Sequence, residues 1–285
     1  MKNTSVIIAA AGKATRWNGK VAACKQLVPL PDGRPLIQRT VDLLREMGIR
    51  RIHIATSHPQ IIDTLQGAEW ILPTDCRFLS QTLLSSSHCF SKKTIILLGD
   101  VFYSREALGS IIHSTRPVQF FGLSNPPSKG PLRRREIYAL SFEEEASTSV
   151  IAALKQTSNE ADLRECKLRL IRVLRRLFHG TSAKHLRNAY SSLPPKPLRT
   201  LGIQPGRFWQ FIRVVTGHSR HTRLYGKLWG LHMELSGTTF FEYKQSGSGE
   251  KGPLPLFMQI DDLTRDIDYE KDFAELVQTV SPKDL

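Results

Sequence analysis

Apolar and polar positions follow two different rhythms along the first half of the chain. Ser5 to Ala10 and Thr94 to Leu98 are short, nearly continuous apolar runs of the kind buried on both faces inside a parallel sheet. Between them, Leu36, Ile37, Val41, Leu44 and Met47 recur at helical spacing before Gly48, which predicts an amphipathic helix, and Arg51 to Thr56 reads as the next strand. Strand, helix and strand make a βαβ unit. Pro59 to Leu65 and Leu79 to Ser87 read as shorter helices, Val118 to Leu123 and Ile137 to Ser141 as later strands, and Glu143 to Lys155 as a helix. Asn125 to Arg135 is a polar, basic loop. The alternation predicts an α/β fold with a mostly parallel open sheet covered by helices on both faces.

From about Glu160 to Thr238 that alternation stops. Leu163, Cys166, Leu170, Ile171, Leu174, Leu177 and Phe178 share one helical face, with Arg164, Arg172, Arg175 and Arg176 mainly on the other. Pro194 to Pro197 marks a rigid turn, and Phe208 to Val215 suggests a second helix before Gly217. A Gly- and Ser-rich loop from Ser246 to Pro255 then returns the chain to a strand near Leu256 to Ile260 and a final helix from Tyr269 to Val280. The segment 160–238 therefore reads as a mainly helical insertion.

Composition sharpens this picture in one place. The chain has 285 residues, 40% hydrophobic and 23% charged, enough for a sizeable core, and a net charge of +14. Cys166 to Met233 holds 14 Lys or Arg and no Asp or Glu, so the rest of the chain is balanced and the excess is local. Cys24, Cys76, Cys89 and Cys166 are scattered without metal-ligand spacing, which predicts neither a disulfide framework nor a structural metal and fits a reducing, cytoplasmic setting. The apolar stretch near the start is too short for a secretory signal, and none approaches a membrane span.

The candidate chemistry opens the chain. The apolar strand Val6-Ile7-Ile8 runs into Ala9-Ala10-Ala11-Gly12-Lys13-Ala14-Thr15-Arg16, and Lys25-Gln26-Leu27-Val28-Pro29-Leu30 follows. A loop of small residues brings backbone N–H groups close to an anion, and Arg16 and Lys25 would supply charge against a polyphosphate. A second feature is Leu98-Gly99-Asp100: an Asp just after a buried strand sits at the carboxyl edge of the sheet, where ligands bind in open α/β folds. A helix-capping or turn role is its structural alternative.

This opening, through Gly12, Thr15, Arg16, Lys25, Leu27, Pro29, Gly33, Pro35 and Leu36, resembles that of the nucleotidyltransferases with a GT-A-like, Rossmann-like fold. These include sugar-phosphate nucleotidyltransferases, phosphocholine-type cytidylyltransferases and MobA-like NTP transferases. Ala14 replaces a frequent Gly, and Cys24 replaces the Pro that usually precedes the Lys. The resemblance covers about residues 5–142 and 256–276. It implies one nucleotidyltransferase domain over 1–285, with the insertion 160–238 on the acceptor side.

The activity implied is transfer of an NMP moiety from an NTP to a phosphorylated small molecule with release of pyrophosphate. CTP is the preferred donor, because Trp17 after Arg16 is similar to the phosphocholine-type members. Under the resemblance, Arg16 and Lys25 are catalytic. Ala10, Ala11, Gly12, Lys13, Ala14, Thr15 and Thr82 contact the nucleotide, and Asp100 and Asp268 hold Mg²⁺. Glu136 and Asp266 lie toward the acceptor, with Asp266 also a substitute metal ligand and Asp261 and Asp262 weaker ones. Asp268 has a structural alternative as N-cap of the last helix, and Asp272 is expected to face solvent.

Two other readings compete: a GT-A glycosyltransferase using a nucleotide sugar, and a noncatalytic nucleotide- or polyanion-binding protein. For the basic segment the acceptor pocket, an anionic membrane surface or nucleic acid, and a plain solvated face all remain open. So do the oligomeric state and the identity of the acceptor.

Overall fold

The computed structural model describes residues 3–12, 24–123, 136–164, 173, 177, 257–260 and 262–285. The basic segment apart from Val173 and Leu177, the loop 124–135 and Lys13 to Arg16 lie outside them. By backbone proximity the chain divides into Met1–Val173 with Met258–Leu285, and Leu174–Phe257; all that follows concerns the first unit.

Its frame is a seven-stranded sheet in the order β3-β2-β1-β4-β7-β6-β8. The first four in that order are parallel: β3 (Glu69–Ile71), β2 (Arg51–Ala55), β1 (Thr4–Ala9) and β4 (Lys93–Leu98). β7 (Glu136–Glu143) runs antiparallel to both β4 and β6 (Val118–Leu123), and β8 (Phe257–Gln259) closes the far edge. Val6, Ile7 and Ile8 are wholly buried, as a strand needs to be when parallel neighbours and helices cover both its faces.

On one face Val6, Ile8, Ile52, Ile54, Ile95 and Leu97 pack with Ile37, Val41 and Leu44 of α1 (Leu36–Glu46). The same cluster takes in Ile61 of α2 (Pro59–Thr64) and Leu108 and Ile111 of α4 (Arg105–Ile112). On the other face Ile7, Ala55 and Ile71 meet Cys89 and Phe90. α3 (Leu79–Ser85) touches β1 and packs against α5 (Ser147–Arg164). The expected α/β layering is present.

Element boundaries shift where long-range pairing overrides local pattern. Glu143 extends β7 by pairing with Lys93, and the Glu144 amide bonds to the Lys92 carbonyl at 2.9 Å, so the following helix starts at Ser147 rather than Glu143 and runs on to Arg164. Two short strands, β5 (Val101–Phe102) and β9 (Arg265–Asp266), form a separate antiparallel ribbon. The last helix, α6 (Glu270–Thr279), packs Leu276 against Val28, Leu30, Leu36, Phe102 and Ile267.

Candidate active site

Three carboxylates reach one point by two routes. Asp100 follows β4 directly, where the Gly99 amide bonds to the Ala9 carbonyl at 2.9 Å. A Cβ at position 99 would lie 3.0 Å from the Cβ of Ala10 and 3.1 Å from the Ala9 carbonyl oxygen, so glycine lets the exit of β4 run against the exit of β1 without displacing either. The second route comes from the other end of the chain. In the β5–β9 ribbon Val101 pairs with Asp266, and the Ile267 amide donates to the Asp100 carbonyl at 2.9 Å. Oxygen atoms of Asp100, Asp266 and Asp268 then all lie within 4.8 Å of one another.

Lys25 enters this cluster from a 3-10 turn, Lys25–Leu27, anchored by the buried Cys24. Its Nζ contacts Asp100 Oδ2 and lies 3.3 Å from Asp268 Oδ1, with the side chain only 8% exposed. Burial alone disfavours the ammonium, but Asp100, Asp266 and Asp268 outweigh it and hold Lys25 above the usual lysine range. Asp266 moves the opposite way: burial and the charges of Asp100, Asp268 and Glu136 push its carboxyl well above the usual range, against the pull of Lys25. Its buried Oδ1 has no hydrogen-bond partner. A cluster of hard oxygen donors with one of them unsatisfied fits a divalent cation. Cys24 takes no part, since burial pushes its thiol up to about 11 and the Sγ–H donates to Gln26 Oε1 at 2.9 Å.

Neither capping alternative is realised. Ser104, not Asp100, caps α4, its hydroxyl accepting from the Ala107 amide at 2.9 Å. Tyr269 is the N-cap of α6, and Asp272 accepts from its amide at 2.8 Å in an exposed hydrogen bond. Asp268 is one residue outside. Asp262 is occupied too: it accepts from Ser104 Oγ at 2.5 Å and from the Thr264 amide at 2.7 Å, tying the approach to β9 onto α4.

Among the other expected residues, Ala10 is buried, with its amide on the Ala55 carbonyl at 2.9 Å and its carbonyl accepting from Thr56 Oγ1 at 3.1 Å. A Cβ on Gly12 would meet nothing within 4 Å. Thr82 is buried with its hydroxyl 3.4 Å from the Phe78 carbonyl. Glu136 opens β7 and accepts from Tyr138 Oη at 3.3 Å. Lys13, Ala14, Thr15, Arg16 and Asp261 lie outside the described residues.

Two supports had no place in the sequence reading. Tyr103 is wholly buried and donates to the Tyr138 carbonyl at 2.7 Å while accepting from the Leu98 amide at 2.9 Å, bracing the exit of β4 against β7. Arg39, equally buried, donates to the Tyr103 carbonyl at 2.7 Å and lies 4.2 Å above the Phe102 ring. An aromatic three residues after the Asp was the only available signal for the first; the second had none.

Residues 6–118 match the family model of the MobA-like NTP transferase domain, a stretch that contains β1, Lys25 and Asp100. Over this stretch, less than half of the chain, the sequence is similar to that family. The MobA-like domain match ends before β9, so Asp266 and Asp268 join the site from outside it. No curated protein is significantly similar in sequence.

Solved structures similar to the chain include HddC from Yersinia pseudotuberculosis complexed with GMP-PN, at 16% identity over 52% of this chain and 78% of that one, with a TM-score of 0.41. CTP:phosphocholine cytidylyltransferase (LicC) from Streptococcus pneumoniae is 14% identical over 56% and 79%, with a TM-score of 0.44. The inositol-1-phosphate CTP transferase from T. maritima is 11% identical over 50% and 72%, with a TM-score of 0.40. Among the described residues no helix is long and apolar enough to cross a membrane.

Proposed function

We propose that this protein transfers a nucleotidyl group from an NTP, CTP for preference, to a phosphorylated small-molecule acceptor. One observation carries the reading: Lys25 and three carboxylates converge at the carboxyl edge of β1 and β4, inside and beside a MobA-like NTP transferase domain. An acceptor phosphate oxygen forms a bond to the α-phosphorus, the bond from that phosphorus to the bridging oxygen breaks, and pyrophosphate leaves with the electron pair. The acceptor oxygen is already ionised, so no general base is required.

Asp100 and Asp268 would hold Mg²⁺, with the unsatisfied Asp266 Oδ1 available to the same ion. Bound there, the ion neutralises charge that gathers on the phosphate oxygens. Lys25 and Arg16 place further positive charge on the phosphates, and the backbone around Ala11 and Gly12 leaves room for the nucleotide to lie against the chain. Glu136 at the start of β7 is the acceptor-side hydroxyl contact. The preference for CTP rests on Trp17 beside Arg16.

Thermal stabilisation by CTP, UTP, GTP, ATP and dTTP, with and without Mg²⁺, tests the donor. A ligand at 100 times its Kd adds about 2.7 kcal/mol. A Mg²⁺-dependent shift with CTP that is lost in Asp100→Ala supports the assignment. No shift with any nucleotide ends it, and release of nucleoside diphosphate rather than pyrophosphate during turnover points instead to a glycosyltransferase.

A further inference from the structure

Lys25 stands where a phosphate-binding lysine has no need to stand. Its ammonium contacts Asp100 Oδ2 and approaches Asp268 Oδ1 at 3.3 Å, the two carboxylates assigned above to the metal. The side chain is nearly enclosed, and its place is set from both sides. The 3-10 turn that carries it is fixed through buried Cys24 and Gln26, and the carboxylates are fixed by the β5–β9 ribbon and the Ile267 amide. We infer that Lys25 is the resident counter-cation of the acidic cluster, that it opposes entry of a divalent ion on its own, and that it moves to the nucleotide phosphates when ion and nucleotide arrive together. The inference rests on the metal reading proposed above.

Electrostatics requires the exchange. An ammonium and a divalent cation bound to the same carboxylate oxygens repel strongly where little water screens them, so each lowers the affinity for the other. Equally, Lys25 leaves the carboxylates only at a cost while no new anion awaits it, because an unpaired buried charge is unfavourable, so only a large excess of the free ion displaces it. A triphosphate removes both obstacles: it offers Lys25 an anion and brings charge that offsets the ion. Binding of free metal is thereby coupled to binding of nucleotide through one side chain. Lys25 meanwhile offsets part of the cluster's negative charge and lessens its own repulsion.

Mn²⁺ binding measured by electron paramagnetic resonance, without nucleotide, tests this on the wild type, Lys25→Met, Asp100→Asn and Asp268→Asn. The expected result is weak Mn²⁺ binding by the wild type and binding roughly tenfold or more tighter in Lys25→Met, in the range usual for coupled sites. That gain should disappear in the double variant Lys25→Met/Asp100→Asn. A nonhydrolysable CTP analogue should restore tight Mn²⁺ binding to the wild type. Equal or weaker Mn²⁺ affinity in Lys25→Met, with affinity still dependent on Asp100, overturns this inference and leaves the metal reading intact. Asp-independent binding, or none in any protein, overturns both.

A second measurement uses the wild type alone, in case Lys25→Met does not fold. Acetylation of Lys25 by acetic anhydride, read by peptide mapping, should rise several-fold when saturating Mn²⁺ displaces the amine. It should fall again when the CTP analogue is added. Labelling that does not respond to Mn²⁺ overturns the exchange.

Discussion

Ile267 donates its amide to the carbonyl of Asp100 at 2.9 Å, across 166 intervening positions of sequence. Its own side chain is wholly buried with Val28, Leu36, Phe102 and Leu276. Successive side chains in extended backbone point to opposite sides, so an inward Ile267 turns Asp266 and Asp268 together away from that core and toward Asp100. One apolar residue thus orients two carboxylates, and the site is completed by a strand that the family-matched segment does not contain.

If these carboxylates act as one unit, their loss should not be additive. Asp100→Asn and Asp268→Asn should each lower turnover by roughly 10²–10³-fold, the scale found for removing one preorganised electrostatic contact. The double variant should lose little more than either single one. Pyrophosphate release under saturating nucleotide and Mg²⁺ is the readout. Multiplicative losses would show two carboxylates serving separate tasks.

Asp262 stands a few residues away from the cluster and should behave differently. Its carboxylate holds Ser104 Oγ and the Thr264 amide, and Ser104 in turn caps α4. Asp262→Ala should cost about 1–2 kcal/mol of stability, as expected for losing a hydrogen-bonded cap support. Mn²⁺ affinity in the presence of nucleotide should stay within a few-fold of wild type. Chemical denaturation and metal titration of the same variant separate the two roles, and a large loss of metal affinity without loss of stability would move Asp262 into the site.

What could be read from sequence follows the length over which each signal accumulates. Val6 to Ile8 and Thr94 to Leu98 announce buried strands because both faces are covered, and α1 shows its stripe over three turns. The small-residue loop, Lys25 and Asp100 were legible as a motif for the same reason, several chemically constrained positions at fixed spacing. β5 and β9 have two residues each and β3 has three, too few for any period to show. Arg39 was invisible because its partners, the carbonyls of Tyr103 and Asp284, lie 64 and 245 positions away. Whether Asp268 or Tyr269 caps α6 turned on a single residue, which propensity does not resolve and tertiary pairing of Ile267 does.

Gly122 sits at a register shift between β6 and β7, and a Cβ there would come within 1.9 Å of the Glu136 carbonyl oxygen. That neighbour is backbone and cannot step aside cheaply. Gly122→Ala should therefore cost about 1–3 kcal/mol, the usual range for overpacking, and raise KM for the acceptor by displacing Glu136. Gly109 in α4 is the control, because a Cβ there meets nothing within 4 Å. Gly109→Ala should gain up to about 1 kcal/mol from helix propensity. Thermal melts of the two variants should move in opposite directions, and parallel shifts would contradict the bulge geometry.

The pH dependence of stability should carry a signature from His53, which lies in β2 and pairs with Ile7 of β1. Burial holds its imidazole below the usual histidine range, with Arg51 and His88 acting in the same sense and Glu69, 3.3 Å from Nδ1, opposing them. Nε2 is buried without a hydrogen-bond partner, so a proton added there gains no acceptor. The sign follows from linkage. Below the ordinary value of about 6.5 the unfolded chain takes up the proton before the folded one does, so His53 supports folding above that pH. This support declines as the pH falls toward the lower folded value, beyond which the difference between the states is constant. Urea midpoints between pH 5 and 8 should therefore fall more steeply on the acid side for wild type than for His53→Leu, which cannot titrate. The two curves should run parallel above about pH 7, where both states hold a neutral imidazole. Parallel curves across the whole range would mean that Glu69 offsets burial fully and that the strand tolerates an imidazolium.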